Sequence, residues 1–289
     1  MTTNKNTLEH IIHGIFLLMG LVAVGCVLLI TLYLVISGIP AILEIGLIDF
    51  LFGKEWASTA TDPKYGIWAF ILTSIYGTAG AIVIGVPIGF MTAVYLSKIA
   101  SPKVKSMMQS AVSLLAGIPS VVYGLVGMLV LVPGIRKIFG VPDGASLLAA
   151  IIVLAIMILP SIIKMSITAL DAVPKEYEDA SLALGATPIE TYFKVSVPAA
   201  KSGIAAAVVL GVGRAIGEAM AVMMVAGNVP NMPDSIFQSV RFLTTAVSSE
   251  MAYSSGLQQQ ALFSIALVLF LFIMLINATL NFFLKRETE

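Results

Sequence analysis

Apolar residues come in six long runs along the chain, and the polar interruptions between them predict the elements. The runs cover 11–36, 67–96, 107–132, 146–165, 203–226 and 261–284. Each approaches or exceeds the roughly 20 residues a helix needs to cross hydrocarbon. The first is longer than the apolar core of a signal peptide, about 7–15 residues, and reads as a retained span. Between the first two runs, 38–66 sets Glu44, Asp49, Lys54, Glu55 and Asp62 among Leu, Ile, Phe and Trp56, which predicts short helices lying on the membrane. Another polar connector follows at 227–260, rich in Asn, Ser and Gln.

Several runs carry residues that an isolated helix would avoid. Gly85 and Gly89 form a small-xxx-small pair that admits a second helix, with Pro87 between them predicting a kink. Thr73, Ser74 and Thr78 either line a polar path or bond back to their own helix. The third run holds Gly117, Pro119, Gly124 and Gly127, each costly inside a helix, so it is expected to bend or to be packed against backbone. Pro160 lies near the exit of the fourth run.

Composition sets the class. With 58% hydrophobic and 11% charged residues among 289, the chain is an all-α polytopic membrane protein rather than a soluble domain. Sixteen basic residues balance sixteen acidic ones, which gives no general attraction to nucleic acid. The single cysteine, Cys26, excludes an intrachain disulfide and reads as a packed thiol. His10 and His13 have the spacing of metal ligands but no third partner nearby, which favours an interfacial resting place and no metal. Six spans put both termini on one side. Ten basic residues (Lys5, Lys98, Lys103, Lys105, Lys164, Lys175, Lys194, Lys201, Lys285 and Arg286) face five (Lys54, Lys64, Arg136, Lys137 and Arg241), so the first set is expected to be cytoplasmic.

The longest polar interruption leads into the fifth run. PKEYEDASLALGAT at 174–187 predicts a short helix stopped by Gly185, and Pro188 starts another. Tyr177, Ala180, Ala183 and Leu184 share one side of the first helix. The fifth run then buries two charges. Arg214 lies eleven residues into it, about 16 Å at 1.5 Å per residue and so near the bilayer centre, where a charge costs roughly 2.5–3.5 kcal/mol on insertion scales. Glu218, four residues on, is placed to pair with it, and Gly213 and Gly217 keep that face open. Two readings stand: an ion pair locking two spans, or a guanidinium that meets an anionic solute while Glu218 holds it.

The polar loop resembles the signature of binding-protein-dependent ABC importer permeases. Asp179-Ala180-Ser181 is followed after three residues by Gly185, and after nine more by Val195-Ser196-Val197-Pro198, with the spacing kept while residue types drift. LLAGIPSVVYGLVG at 114–127, ILPSIIKMS at 158–166, EDASLALGAT at 178–187, GRAIGEAMAVMMVAGN at 213–228 and, less clearly, FLFGKEW at 50–56 are similar to the PstC-type permeases of phosphate-specific ABC transporters. The resemblance implies a type I importer permease (MetI-like) fold with six transmembrane helices and a cytoplasmic coupling helix. It implies an N-terminal helix and extracytoplasmic connector over 1–66, a permease domain over 67–284 with its coupling loop at 174–198, and a cytoplasmic tail at 285–289. Glu178, Asp179, Ala180, Leu184, Gly185 and Ala186 would meet the ATPase, and Arg214 and Glu218 would lie on the phosphate path. The implied partners in a prokaryotic cell membrane are a PstA-type second permease, a PstB-type ATP-binding dimer, a PstS-type phosphate-binding protein, phosphate and the lipid bilayer.

Absent motifs bound the rest. No G-x-x-x-x-G-K-S/T loop is present to cradle a nucleotide, so no ATP cofactor and no hydrolysis is expected in this chain. No H-E-x-x-H or G-x-S-x-G motif supports a membrane hydrolase. The runs show no inverted repeat of the kind an ion-coupled carrier would carry. An importer of another oxyanion, sulfate or molybdate, remains the nearest alternative.

Overall fold

The computed structural model describes residues 3–286, without the side chains of 3–8, 10, 11, 280, 281 and 283–286. The His10 side chain and those of Lys5, Lys285 and Arg286 therefore lie outside the described residues, as does the end of the 285–289 tail. Five of the described helices are long and apolar enough to cross a membrane: Ile12–Ile45, Trp68–Ile99, Ser120–Phe139, Leu147–Asp171 and Gly256–Thr279. A bent pair, Pro188–Ala199 and Lys201–Ile216 meeting at 71°, is apolar enough to make a sixth span if the two pieces cross together.

The spine is α7 (Leu147–Asp171), the most buried of the spans. Ser146 opens it, its hydroxyl accepting the Ala149 N–H at 3.4 Å. On one side lies α3 (Trp68–Val94), which ends in a π turn at Tyr95–Ile99. The small residues of α3 make the close approach possible. A Cβ on Gly85 would stand 2.7 Å from Ile158 Cδ1, and one on Gly89 2.9 Å from Ile162 Cγ2, so a side chain at either would push the helices apart.

Tertiary packing moves four of the expected boundaries. The first helix, α1 (Thr3–Ile45), runs nine residues beyond 36 and passes through Pro40. There Gly38 lies against the backbone of Phe263, and Ser264 Oγ donates to the Gly38 carbonyl. The third run divides into α4 (Pro102–Gly117) and α5 (Ser120–Val126). Ile118 precedes Pro119 and is extended at ψ 127, since a residue before proline is excluded from the helical region. The Tyr123 hydroxyl donates to the Leu115 carbonyl at 2.8 Å, satisfying one group the break releases. Beyond α5 and a π turn, Pro133 sits in the first turn of α6 (Val132–Phe139) instead of ending the span. Arg136 and Lys137 therefore stand in the last turn of a crossing helix. The fourth span extends past 165 to Asp171, which accepts Ser97 Oγ at 2.6 Å and Lys105 Nζ at 2.8 Å.

The connector after α1 folds as α2 (Leu47–Phe52) and an antiparallel hairpin of two-residue strands, β1 (Trp56–Ala57) on β2 (Lys64–Tyr65), a small departure from all-α structure. Trp56, Tyr65 and Phe70 share a core there with Leu243, Leu262 and Ile265. Over this core lies a polar hub. Glu250 pairs with Arg241, accepts Trp56 Nε1 at 3.3 Å and Ser58 Oγ at 3.2 Å, and accepts Gln258 Nε2 at 3.1 Å. Glu250 closes α13 (Leu243–Glu250), and Gln258 lies in the first turn of α14 (Gly256–Arg286).

Candidate functional site

The fifth run departs most from its expected form. Helix α11 (Lys201–Ile216) stops at Gly217, and α12 (Met220–Val225) begins after Ala219, so no continuous helix carries both buried charges. Arg214 falls in the last turn of α11, where the free carbonyls favour a cation. Glu218 lies beyond the break, and its Oε1 accepts the Ala221 N–H in the first turn of α12 at 3.0 Å. Thr244 Oγ1 donates to the Glu218 carbonyl at 2.8 Å, holding the break in place. The expected ion pair is not made: none of the five ion pairs among the described residues includes Arg214 or Glu218. Each charge is met instead by a helix end of opposite partial charge.

Arg214 is half-buried at the edge of a cleft of about 710 Å³, with Ser161 of α7 and Asn277 of α14 in the same wall. Its NH1 donates to Ser161 Oγ at 3.3 Å, the one hydrogen bond the guanidinium makes among the described residues. Gly213 borders the cleft with open space where a side chain would stand. A guanidinium has five N–H donors, so most of its capacity faces the opening. Ser161 and Asn277 had no place in the reading of the sequence. The signal available was Asn277 itself, an amide in the middle of the last apolar run.

The polar residues of α3 serve neither of their expected roles. Ser74 Oγ accepts the Leu243 N–H at 3.0 Å, joining α3 to α13. Thr73 is buried with its hydroxyl unpartnered, and Thr78 edges an apolar pocket between α3, α11 and α14.

The 174–201 segment forms α8 (Lys175–Ala183), α9 (Pro188–Thr191), a π turn and a short α10 (Val197–Ala199). Gly185 ends α8 at φ +88, with Gly185 N–H bonded to the Leu182 carbonyl at 2.9 Å and Ala186 N–H to that of Ser181 at 3.3 Å. This is a Schellman turn, whose left-handed residue favours glycine. A Cβ there would meet nothing within 4 Å, so the demand is conformational and not steric. Thr187 and Glu190 form a capping box for α9, and Ser181 Oγ lies 2.9 Å from Thr191 Oγ1, tying the two helices together.

Six residues were expected on one partner-facing surface, and the structure divides them. Asp179, Ala180, Leu184 and Gly185 are exposed, Leu184 to 91%, and Ala186 is half-buried. Tyr177 and Ile189 add to the exposed apolar group. Glu178 turns inward, its Oε1 accepting Lys98 Nζ at 2.6 Å and Ser196 Oγ at 2.8 Å. Burial pushes the Glu178 carboxyl up, but the bonds from Lys98 and Ser196 outweigh it and hold it below its ordinary range. Glu178 thus anchors α8 to the end of α3.

Comparison with known proteins follows the same lines. The family model described as binding-protein-dependent transport system inner membrane component matches residues 85–287. A probable ABC transporter permease, YqgH of Bacillus subtilis (strain 168), is 41% identical over 266 residues, 89% of this chain and 86% of that one. The phosphate transport system permease protein PstC of Pasteurella multocida (strain Pm70) is 33% identical over 242 residues, 77% of this chain and 75% of its own. Among solved structures, a chain of the MetNI methionine ABC transporter in an inward-facing conformation superposes with a TM-score of 0.57 at 23% identity, covering 78% of this chain and 95% of that one. A chain of the bacterial alginate ABC transporter reaches 0.62 at 17% identity, covering 95% and 94%. At those identities the likeness is one of fold.

Proposed function

Since this chain belongs to the family of binding-protein-dependent transport system inner membrane components, we propose that it is the permease subunit of an ATP-driven importer of inorganic phosphate. The observation that carries this reading is Arg214: a permanent cation within a membrane span, at the mouth of a cleft, with one hydrogen bond and no carboxylate partner among the described residues. Holding an unneutralised guanidinium there is unfavourable unless an anion visits it. The fork of a guanidinium suits tetrahedral oxyanions, and several relatives carry phosphate in their names. A broken helix beside the charge supports a solute path, because interrupted spans place free backbone groups along membrane cavities.

In this reading the chain forms half of the pathway, and a PstA-type permease supplies the other half. A PstS-type protein delivers phosphate at the hairpin end. The 174–201 end faces the cytoplasm, as the basic-residue excess there supports. Leu184, with Asp179, Ala180 and the turn at Gly185 and Ala186, docks into a PstB-type ATPase dimer, an amphipathic helix entering a groove. Glu178 acts from behind this surface by fixing α8 to α3, so force on α8 passes to the spans.

The test is uptake of radiolabelled phosphate by cells carrying Arg214→Lys as their only copy, normalised to the amount of assembled complex. An ammonium keeps the charge and loses the fork, so uptake is expected to fall at least tenfold with ATPase co-purification unchanged. Uptake equal to wild type would remove Arg214 from the path. Sulfate or molybdate uptake in place of phosphate would reassign the oxyanion.

A further inference from the structure

Asn277 stands out among the polar side chains of the spans. It is half-buried in the second half of α14, lines the same cleft as Arg214 of α11, and makes no hydrogen bond to any described residue. In hydrocarbon an amide left unbonded is costly, and such residues mark solute paths. Ser161 faces the same space from α7, where its oxygen already accepts a hydrogen bond from Arg214 NH1. Three helices therefore bring one cation, one hydroxyl and one unused amide to a single opening.

We propose that Asn277 and Ser161 complete the anion site of Arg214, and that the Asn277 amide makes the site selective for tetrahedral oxyanions that carry a proton. This rests on the reading of Arg214 as a residue of the path. The chemistry follows from donor and acceptor counts. Arginine is donor-only and cannot distinguish one dianion from another. A hydrogen phosphate bears a P–OH that must donate, whereas sulfate has no proton to give. The cleft wall contains no carboxylate to accept that hydrogen bond. The Asn277 carbonyl oxygen accepts it while the NH₂ donates to a second phosphate oxygen, and Ser161 Oγ is free to rotate between Arg214 and the ligand. A site built to bond a hydroxyl rejects the analogue lacking it, because its own acceptor is left unpaired.

The experiment uses the purified complex of this chain with its permease and ATPase partners, without the binding protein, and measures equilibrium binding of radiolabelled inorganic phosphate with sulfate as competitor. Wild type is expected to bind phosphate and to resist sulfate. Asn277→Leu should weaken phosphate binding about tenfold or more, the loss of one or two bonds to a charged ligand, and should let sulfate compete on equal terms. Asn277→Gln, which keeps the amide, should recover part of the preference. The preference for phosphate over sulfate is the readout that a purely structural asparagine would not move. Unchanged preference in Asn277→Leu, with Arg214→Lys still defective in uptake, would overturn this proposal alone. No phosphate binding by wild type, together with normal uptake by Arg214→Lys, would overturn both it and the reading of Arg214.

Discussion

The polar hub at the hairpin end and the cleft at Arg214 place an arginine in two opposite situations. Arg241 pairs with Glu250, donates its Nε to the Asn228 carbonyl at 2.8 Å and lies 5.9 Å from the ring centre of Phe70. Glu250 receives three further side chains from other parts of the chain. The Glu250 carboxylate is shared by four side chains, and the result is a clasp joining the hairpin, the 227–242 loop, α13 and α14. Arg214 makes one bond and faces open space. The first charge is tied into scaffolding, and the second keeps donors that a ligand would use under the reading proposed above. The Lys98–Glu178–Ser196 cluster at the other end belongs with the first kind.

That contrast can be broken by mutation. The largest effect is expected for Glu250→Leu, which strands Arg241 and three donors in a mostly buried site. Breaking such a pair costs about 3 kcal/mol at the low end of the usual range, and the purified complex should melt several degrees lower. A melting temperature equal to wild type would show that the hub is ornament. Arg214→Leu should act in the opposite sense on stability. It relieves part of the roughly 2.5–3.5 kcal/mol cost of a charge within a span and leaves Ser161 able to bond elsewhere, so the complex should melt no lower than wild type while phosphate uptake is lost. A steep fall in melting temperature would place Arg214 with the first kind.

Glu178 sharpens the comparison through pH. Its carboxyl titrates below the ordinary range when folded, so its contribution is fully present above the unfolded value and is lost as pH falls through the folded one. The melting temperature of wild type should therefore fall more in acid, below about pH 4.3, than that of Glu178→Gln, which lacks that dependence. Parallel curves for the two would dissociate Glu178 from Lys98. The smallest effect belongs to Glu218. Its amide analogue still accepts the Ala221 N–H, so Glu218→Gln should retain stability, whereas Glu218→Leu should lose about 1 kcal/mol, the worth of a helix-end acceptor. Equal losses in both would mean that the charge, not the oxygen, holds the break.

Much was legible in the sequence because hydrocarbon imposes a one-dimensional rule: an apolar stretch of sufficient length must become a helix that satisfies its own backbone. Five of the six spans, the α8–Gly185–α9 turn and the close approach at Gly85 and Gly89 all follow from residues adjacent along the chain. The same rule fails where the chain bends back on itself. Pro40 does not end α1, because Phe263 and Ser264 of a distant helix support it. Conversely, Gly217 does end α11 although the apolar run continues, with Thr244 securing the break. Arg214 and Glu218 stand four apart in sequence and would pair on an unbroken helix. A long-range hydrogen bond and two helix ends settle where each charge goes. Sequence spacing thus determined which stretches become apolar helices and where α8 turns, while packing moved their ends. Only the tertiary structure decided which charges are satisfied, because satisfaction depends on partners such as Ser161, Lys98 and Thr244 that lie tens of residues away and carry no local signal.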